Sequence, residues 1–126
     1  MNQKKILVID DDTDLREALQ TSMQSAGYDV LTAADGEGGL LSAFANKPDL
    51  ILLDISMPKM NGLDFLRALK NNKIPIIITS NLSSMDTISE GVELGVRGYI
   101  VKSNESTEAI AEAIEGLFVV APPKKL

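Results

Sequence analysis

A chain of 126 residues, 44% of them hydrophobic and 24% charged, suits one globular domain able to bury a sizeable core. It contains neither cysteine nor histidine, which excludes disulfides, thiolate chemistry and imidazole as a base or phosphoryl carrier, and argues against zinc sites of the common kind. The net charge of −6 argues against the domain gripping nucleic acid by itself, no apolar stretch approaches the length of a membrane span, and the N-terminus shows no signal-peptide h-region, so the expected compartment is the cytoplasm.

Strand and helix patterns alternate along the chain. Lys5-Ile6-Leu7-Val8-Ile9 reads as a buried strand that stops at Asp10-Asp11-Asp12. Leu15, Ala18, Leu19, Ser22, Met23 and Ala26 then keep helical spacing, and Gly27 is a good stop. Residues 28–32 form a short second strand, followed by a helix through Leu40, Leu41 and Phe44 that ends before Lys47-Pro48. Gly36-Glu37-Gly38-Gly39 begins like a dinucleotide loop, but it follows the second strand rather than the first and has leucine where a third glycine belongs. It is read as a glycine-rich lead into the second helix.

Leu50-Ile51-Leu52-Leu53 makes the third strand and ends at Asp54, and Leu63, Leu66 and Leu69 mark a third helix. Ile74-Pro75-Ile76-Ile77-Ile78 is the fourth strand, with proline tolerated at its start. A fourth helix spans about residues 84–94. Gly98-Tyr99-Ile100-Val101 is the fifth strand. The last helix runs from Thr107, a candidate N-cap, through Ile110, Ala113, Ile114 and Leu117, with Glu108, Glu112 and Glu115 on its outer face.

Near-continuous apolar strands separated by helices imply an α/β fold, a parallel sheet covered on both faces. Right-handed crossovers leave few topologies. The one that joins the ends of strands 1 and 3 is the flavodoxin-like order 2-1-3-4-5, a doubly wound (βα)5 sheet whose switch point lies between those strands. Asp10, Asp11 and Asp54 all fall there. Like charges packed that closely repel unless a cation neutralises them, and oxygen-only ligands favour a hard cation such as magnesium.

Each of these residues also has a plainer reading. Asp12 or Asp14 could simply cap the first helix, but capping does not account for Asp10, Asp11 and Asp54 at one crevice. Lys102 alone would be a solvated lysine at a strand end; beside three carboxylates it can balance charge and hold a phosphoryl oxygen. Ser80 could belong to turn or cap chemistry with Ser83 and Ser84, or offer its hydroxyl to a phosphoryl oxygen, a role for which Thr79 competes.

Four segments together resemble the receiver domains of two-component response regulators. They are Ile6-Leu7-Val8-Ile9-Asp10-Asp11-Asp12; Pro48-Asp49 through Asp54-Ile55-Ser56-Met57-Pro58-Lys59-Met60-Asn61-Gly62; Pro75-Ile76-Ile77-Ile78-Thr79-Ser80; and Gly98-Tyr99-Ile100-Val101-Lys102. Any one is weak, but all four in order are specific. The resemblance covers residues 4–118 and leaves 119–126 as a tail or linker start. It implies that Asp54 is the phosphoacceptor, that Asp11 binds magnesium directly and Asp10 partly through water, and that Ser56 offers its backbone carbonyl to the metal. It places Ser80, rather than Thr79, at the switch hydroxyl, with Lys102 as the matching lysine and Tyr99 as the switch aromatic.

The implied partners are a sensor histidine kinase or histidine phosphotransfer protein as donor and a downstream protein or effector domain as target. Phosphorylation would act on the surface of the fourth helix, fifth strand and fifth helix, where homodimerisation on activation is plausible. No turnover enzyme is implied, only self-catalysed phosphorylation and slow dephosphorylation.

The chain departs from the family in places. Ser103 follows Lys102 where receivers usually have proline, which puts the placement of Lys102 in question. Asn81 could narrow access to Asp54, and Leu82 cannot orient a hydrolytic water, so the phosphorylated state is expected to hydrolyse slowly. Asn81 and Ser103 support a rival reading, a pseudo-receiver that binds partners without phosphorylation; the full set Asp10, Asp11, Asp54, Ser80 and Lys102 counts against it. An aspartate-nucleophile phosphatase would want an acid at the position of Ser56.

Overall fold

The computed structural model describes residues 3–55, 57, 60–69, 73–80, 89–91, 93–102 and 106–119. Its strands are β1 (Lys5–Ile9), β2 (Asp29–Ala33), β3 (Leu50–Asp54), β4 (Ile76–Ser80) and β5 (Gly98–Val101). All pair in parallel in the order β2-β1-β3-β4-β5. The apolar runs predict this burial: β3 and β4 are buried along their whole length, as interior strands covered on both faces must be.

The alternation of side chains sorts the core into two layers. Ile6, Val8, Leu50 and Leu52 pack with Leu19, Met23, Ile110 and Ile114 on one face. Leu7, Ile9, Ile51 and Leu53 pack with Ala43, Phe65 and Leu66 on the other. The helices on these faces are α1 (Thr13–Ser25), α2 (Gly36–Asn46), α3 (Gly62–Ala68) and a C-terminal helix, Thr107–Val119. Among the described residues no helix is long and apolar enough to cross a membrane.

Strand ends differ slightly from the sequence reading, for local reasons. The Tyr28 N–H bonds the Met23 carbonyl to finish α1, so β2 starts at Asp29. Pro75 has no N–H but accepts from Ile51, so the β4 ladder starts at Ile76 and runs on to Ser80.

The caps also settle open choices. Asp12, not Asp14, caps α1 by accepting from the Leu15 N–H at 3.2 Å. Thr107 is not the cap of the C-terminal helix: Ser106 Oγ accepts the Ala109 N–H at 3.1 Å, while the Thr107 hydroxyl is held by Ser22 of α1. The buried stripe of that helix is Ile110, Ala111 and Ile114, and Ala113 is exposed.

The glycine-rich lead into α2 has a packing cause. A Cβ on Gly39 would lie 2.4 Å from Ile9 Cδ1, so glycine lets α2 sit directly on β1. This turns Leu41 and Phe44 outward, and both are exposed. Residues 89–91 and 93 are helical and lead to Gly95 at φ +99°, the end of the fourth predicted helix. The start of that helix and the tail lie outside the described residues.

Candidate functional site

In a parallel sheet every strand delivers its last residue to the same edge. Ile9 pairs with Leu53, Asp54 with Thr79, and Ser80 with Val101. The register therefore sets Asp10, Asp54, Ser80 and Lys102 side by side at the switch point. Asp10 (1% exposed), Asp54 (2%) and Ser80 (0%) are buried, whereas Asp11 is exposed. One carboxylate oxygen from each of Asp10, Asp11 and Asp54 lies within 4.8 Å of the others.

Buried carboxylates this close need a cation. Lys102 supplies one, with Nζ 3.1 Å from Asp10 Oδ2 and 3.2 Å from Asp54 Oδ2. Burial alone would lower the Lys102 pKa, but Asp54 and Asp10 outweigh it and hold the ammonium above its ordinary value. Lys102 is thus brought into the cluster; Ser103 lies outside the described residues.

The loops fix the carboxylates from behind. Asp10 accepts the Asp12 N–H on Oδ1 at 2.9 Å, and its own N–H bonds the Ala33 carbonyl at 3.1 Å. Its carbonyl accepts from Arg16 Nη1 at 2.7 Å. After β3, the Ile55 N–H bonds the Thr79 carbonyl at 3.0 Å and the Gly62 N–H returns to the Ile55 carbonyl at 3.1 Å. The Gly62 position has no room for a side chain, since a Cβ would come within 2.5 Å of Ile55 Cα.

The remaining sequence candidates divide. Ser80 Oγ is buried with no hydrogen-bond partner among the described residues. A buried hydroxyl without a partner carries its desolvation cost uncompensated. Tyr99 does not join the cluster; it stands on β5, 48% exposed. Ser56, Pro58, Asn81 and Leu82 lie outside the described residues. Arg16 was missed by the sequence reading, because an arginine one turn into an amphipathic helix looks like any solvated residue.

The donor set fits a hard divalent cation: oxygen ligands only, two of the three carboxylates buried, and one ammonium against three negative charges. Magnesium would be held by Asp10, Asp11 and Asp54.

A doubly wound parallel sheet with a lysine-closed carboxylate cluster at its switch point defines a flavodoxin-like domain built around an acidic cluster. The chain belongs to the response regulator receiver domain family, whose model matches residues 6–115. It is similar to the transcriptional regulatory protein PrrA of Mycobacterium tuberculosis, 38% identical over 109 residues, which are 85% of this chain and 47% of that protein. It is also similar to the alkaline phosphatase synthesis transcriptional regulatory protein PhoP of Bacillus subtilis, 38% identical over 125 residues, 95% of this chain and 52% of that protein. The chain spans about half the length of the curated relatives it matches.

Among solved structures, the chemotaxis protein CheY4 of Vibrio cholerae aligns with a TM-score of 0.83 at 30% identity, over 90% of this chain and 98% of that one. The Francisella response regulator 1452 receiver domain aligns at 0.82 and 30% identity, over 92% and 97%. Receiver domains are signalling modules of two-component systems rather than turnover enzymes, and response regulators work with histidine kinases and effectors.

Proposed function

We propose that this domain accepts a phosphoryl group on Asp54 from the phosphohistidine of a sensor histidine kinase or a histidine phosphotransfer protein, in a magnesium-dependent reaction. One observation carries the reading: one carboxylate oxygen from each of Asp10, Asp11 and Asp54 lies within 4.8 Å of the others, and the Lys102 ammonium bridges Asp10 and Asp54. An Asp54 carboxylate oxygen attacks phosphorus, the P–N bond to the donor imidazole breaks, and an aspartyl phosphate forms. Magnesium, when bound, supplies positive charge against the carboxylates and the phosphoryl oxygens.

Lys102 already touches Asp54 and is placed to meet the oxygens added there. Ser80, at the end of the adjacent strand, has a buried hydroxyl that gains an acceptor when Asp54 is phosphorylated. Tyr99, half exposed on β5, can swing inward behind it. These two movements bias the surface made by the fourth helix, β5 and the C-terminal helix. The carbonyl of Ser56 completes the proposed metal ligands.

The receiver unit is placed at residues 4–118, with 119–126 as a C-terminal tail or the start of a linker, and the working compartment is the cytoplasm. The relatives, transcriptional regulators about twice as long, support an effector domain as the downstream target.

The test is intact mass after incubation with acetyl phosphate, with and without magnesium, for wild type and Asp54→Ala. A single phosphoryl gain that requires both magnesium and Asp54 is expected. No gain in the wild type with acetyl phosphate or with a phosphorylated histidine kinase would overturn the reading in favour of a binding module that works unphosphorylated.

A further inference from the structure

The carbonyl of Asp10 lies one residue past the β1 ladder, whose last pairs are Ile9 with Ala33 and Ile9 with Leu53. The first helical turn does not use it either, because the Arg16 N–H goes to the Asp12 carbonyl. Arg16 closes this gap from the side-chain end. Its Nη1 donates to the Asp10 carbonyl at 2.7 Å, and its Nη2 is 3.4 Å from Thr13 Oγ1. A short, charge-assisted bond in a half-buried place is a strong restraint on the backbone. The planar fork of the guanidinium adds direction that a point charge lacks.

What this restraint holds is the Asp10-Asp11-Asp12 turn. Asp10 has its N–H, carbonyl and both carboxylate oxygens engaged, by Ala33, Arg16, the Asp12 N–H and Lys102. Asp12 caps α1. Asp11 sits between these two anchored residues with its side chain exposed. The direction of its carboxylate therefore depends on how firmly the turn is fixed.

We infer that Arg16 is a positioning residue for magnesium binding: by clamping the Asp10 carbonyl it aims the Asp11 carboxylate at Asp10 and Asp54. The inference rests on the phosphoacceptor reading above. Its electrostatics give it an unambiguous sign. Arg16 is itself a cation near the cluster, so its charge alone repels a divalent ion, and deleting the charge would tighten binding. Deleting a positioning bond loosens it.

The experiment is calorimetric titration of the phosphate-free protein with magnesium chloride, for wild type, Arg16→Ala, Arg16→Lys and, as a charge control, Arg67→Ala. Arg67 is an exposed α3 arginine paired with Asp64. Expected is a dissociation constant raised about tenfold in Arg16→Ala, the loss of one charge-assisted bond. Arg16→Lys, which keeps the charge and one donor, should fall between Arg16→Ala and wild type, and Arg67→Ala should stay within about twofold of wild type.

Thermal unfolding without magnesium shows that each variant is folded; if Arg16→Ala is not, Arg16→Lys decides by the same criterion. Equal or tighter binding in the Arg16 variants overturns the inference and leaves the phosphoacceptor reading intact. Failure of the wild type to bind magnesium overturns both.

Discussion

The side chains at the edge of the sheet differ in how far the resting protein satisfies them. Asp10 has all its polar groups engaged, and Lys102 is shared between two carboxylates. Ser80 is the exception, fully buried with its hydroxyl unpartnered among the described residues. An unpaired buried hydroxyl contributes nothing to the resting fold and carries its desolvation cost. On the proposed function its value lies in the phosphorylated state, where an acceptor arrives next door. Ser80→Ala is accordingly expected to leave the stability of the unphosphorylated protein unchanged or raise it by up to about 1 kcal/mol in urea unfolding. The same variant should still take up the phosphoryl group, yet show a weaker shift of the Tyr99 ring signals in nuclear magnetic resonance on phosphorylation. A loss of more than about 2 kcal/mol would mean that the hydroxyl has a structural bond in the resting state, and an undiminished Tyr99 response would remove Ser80 from the switch.

Elements carry the next layer, because the carboxylates are only as well placed as the turns that deliver them. The turn after β3 is closed by the Gly62 N–H on the Ile55 carbonyl, and the Gly62 Cα faces the Ile55 backbone with no room for a methyl group. Ile55 directly follows Asp54, so any retreat of α3 moves the proposed phosphoacceptor. Gly62→Ala should cost about 1–3 kcal/mol, the range for overpacking a tight interior, and should slow phosphorylation by acetyl phosphate in protein that remains folded. Wild-type stability and rate together would show that α3 can shift without disturbing β3. The sequence made the strands legible because their buried apolar runs are continuous, and β1 and β5 match residue for residue. It misplaced the start of β4 by two residues, because the ladder depends on which carbonyl accepts from Ile51, a tertiary matter. It read Thr107 as a cap because threonine suits that position, but the choice between adjacent hydroxyls was made by packing against Ser22 of α1. Arg16 stayed hidden because a lone arginine on a helix gives no sign that its guanidinium turns back to a carbonyl six residues earlier.

For the whole molecule, folding is what gathers the negative charge. In the unfolded chain Asp10 and Asp11 are more than forty residues from Asp54 in sequence, whereas the native sheet brings their oxygens within 4.8 Å and sets one lysine against them. A divalent cation that binds this cluster binds the native state and has no comparable site in the unfolded one, so it stabilises the fold by mass action. At a magnesium concentration about ten times the dissociation constant the gain is about 1.4 kcal/mol, which for a domain of this size raises the melting temperature by about 5 °C. Sodium chloride at matched ionic strength should not reproduce the shift, since screening acts on exposed charges and two of the three carboxylates are buried. Asp11→Ala removes the exposed member of the proposed ligand set without emptying a buried position, so its melting temperature should become nearly insensitive to magnesium while its cooperativity is kept. Equal shifts with sodium and magnesium, or an undiminished magnesium shift in Asp11→Ala, would show that the ion acts on surface charge in general rather than at the end of β1 and β3.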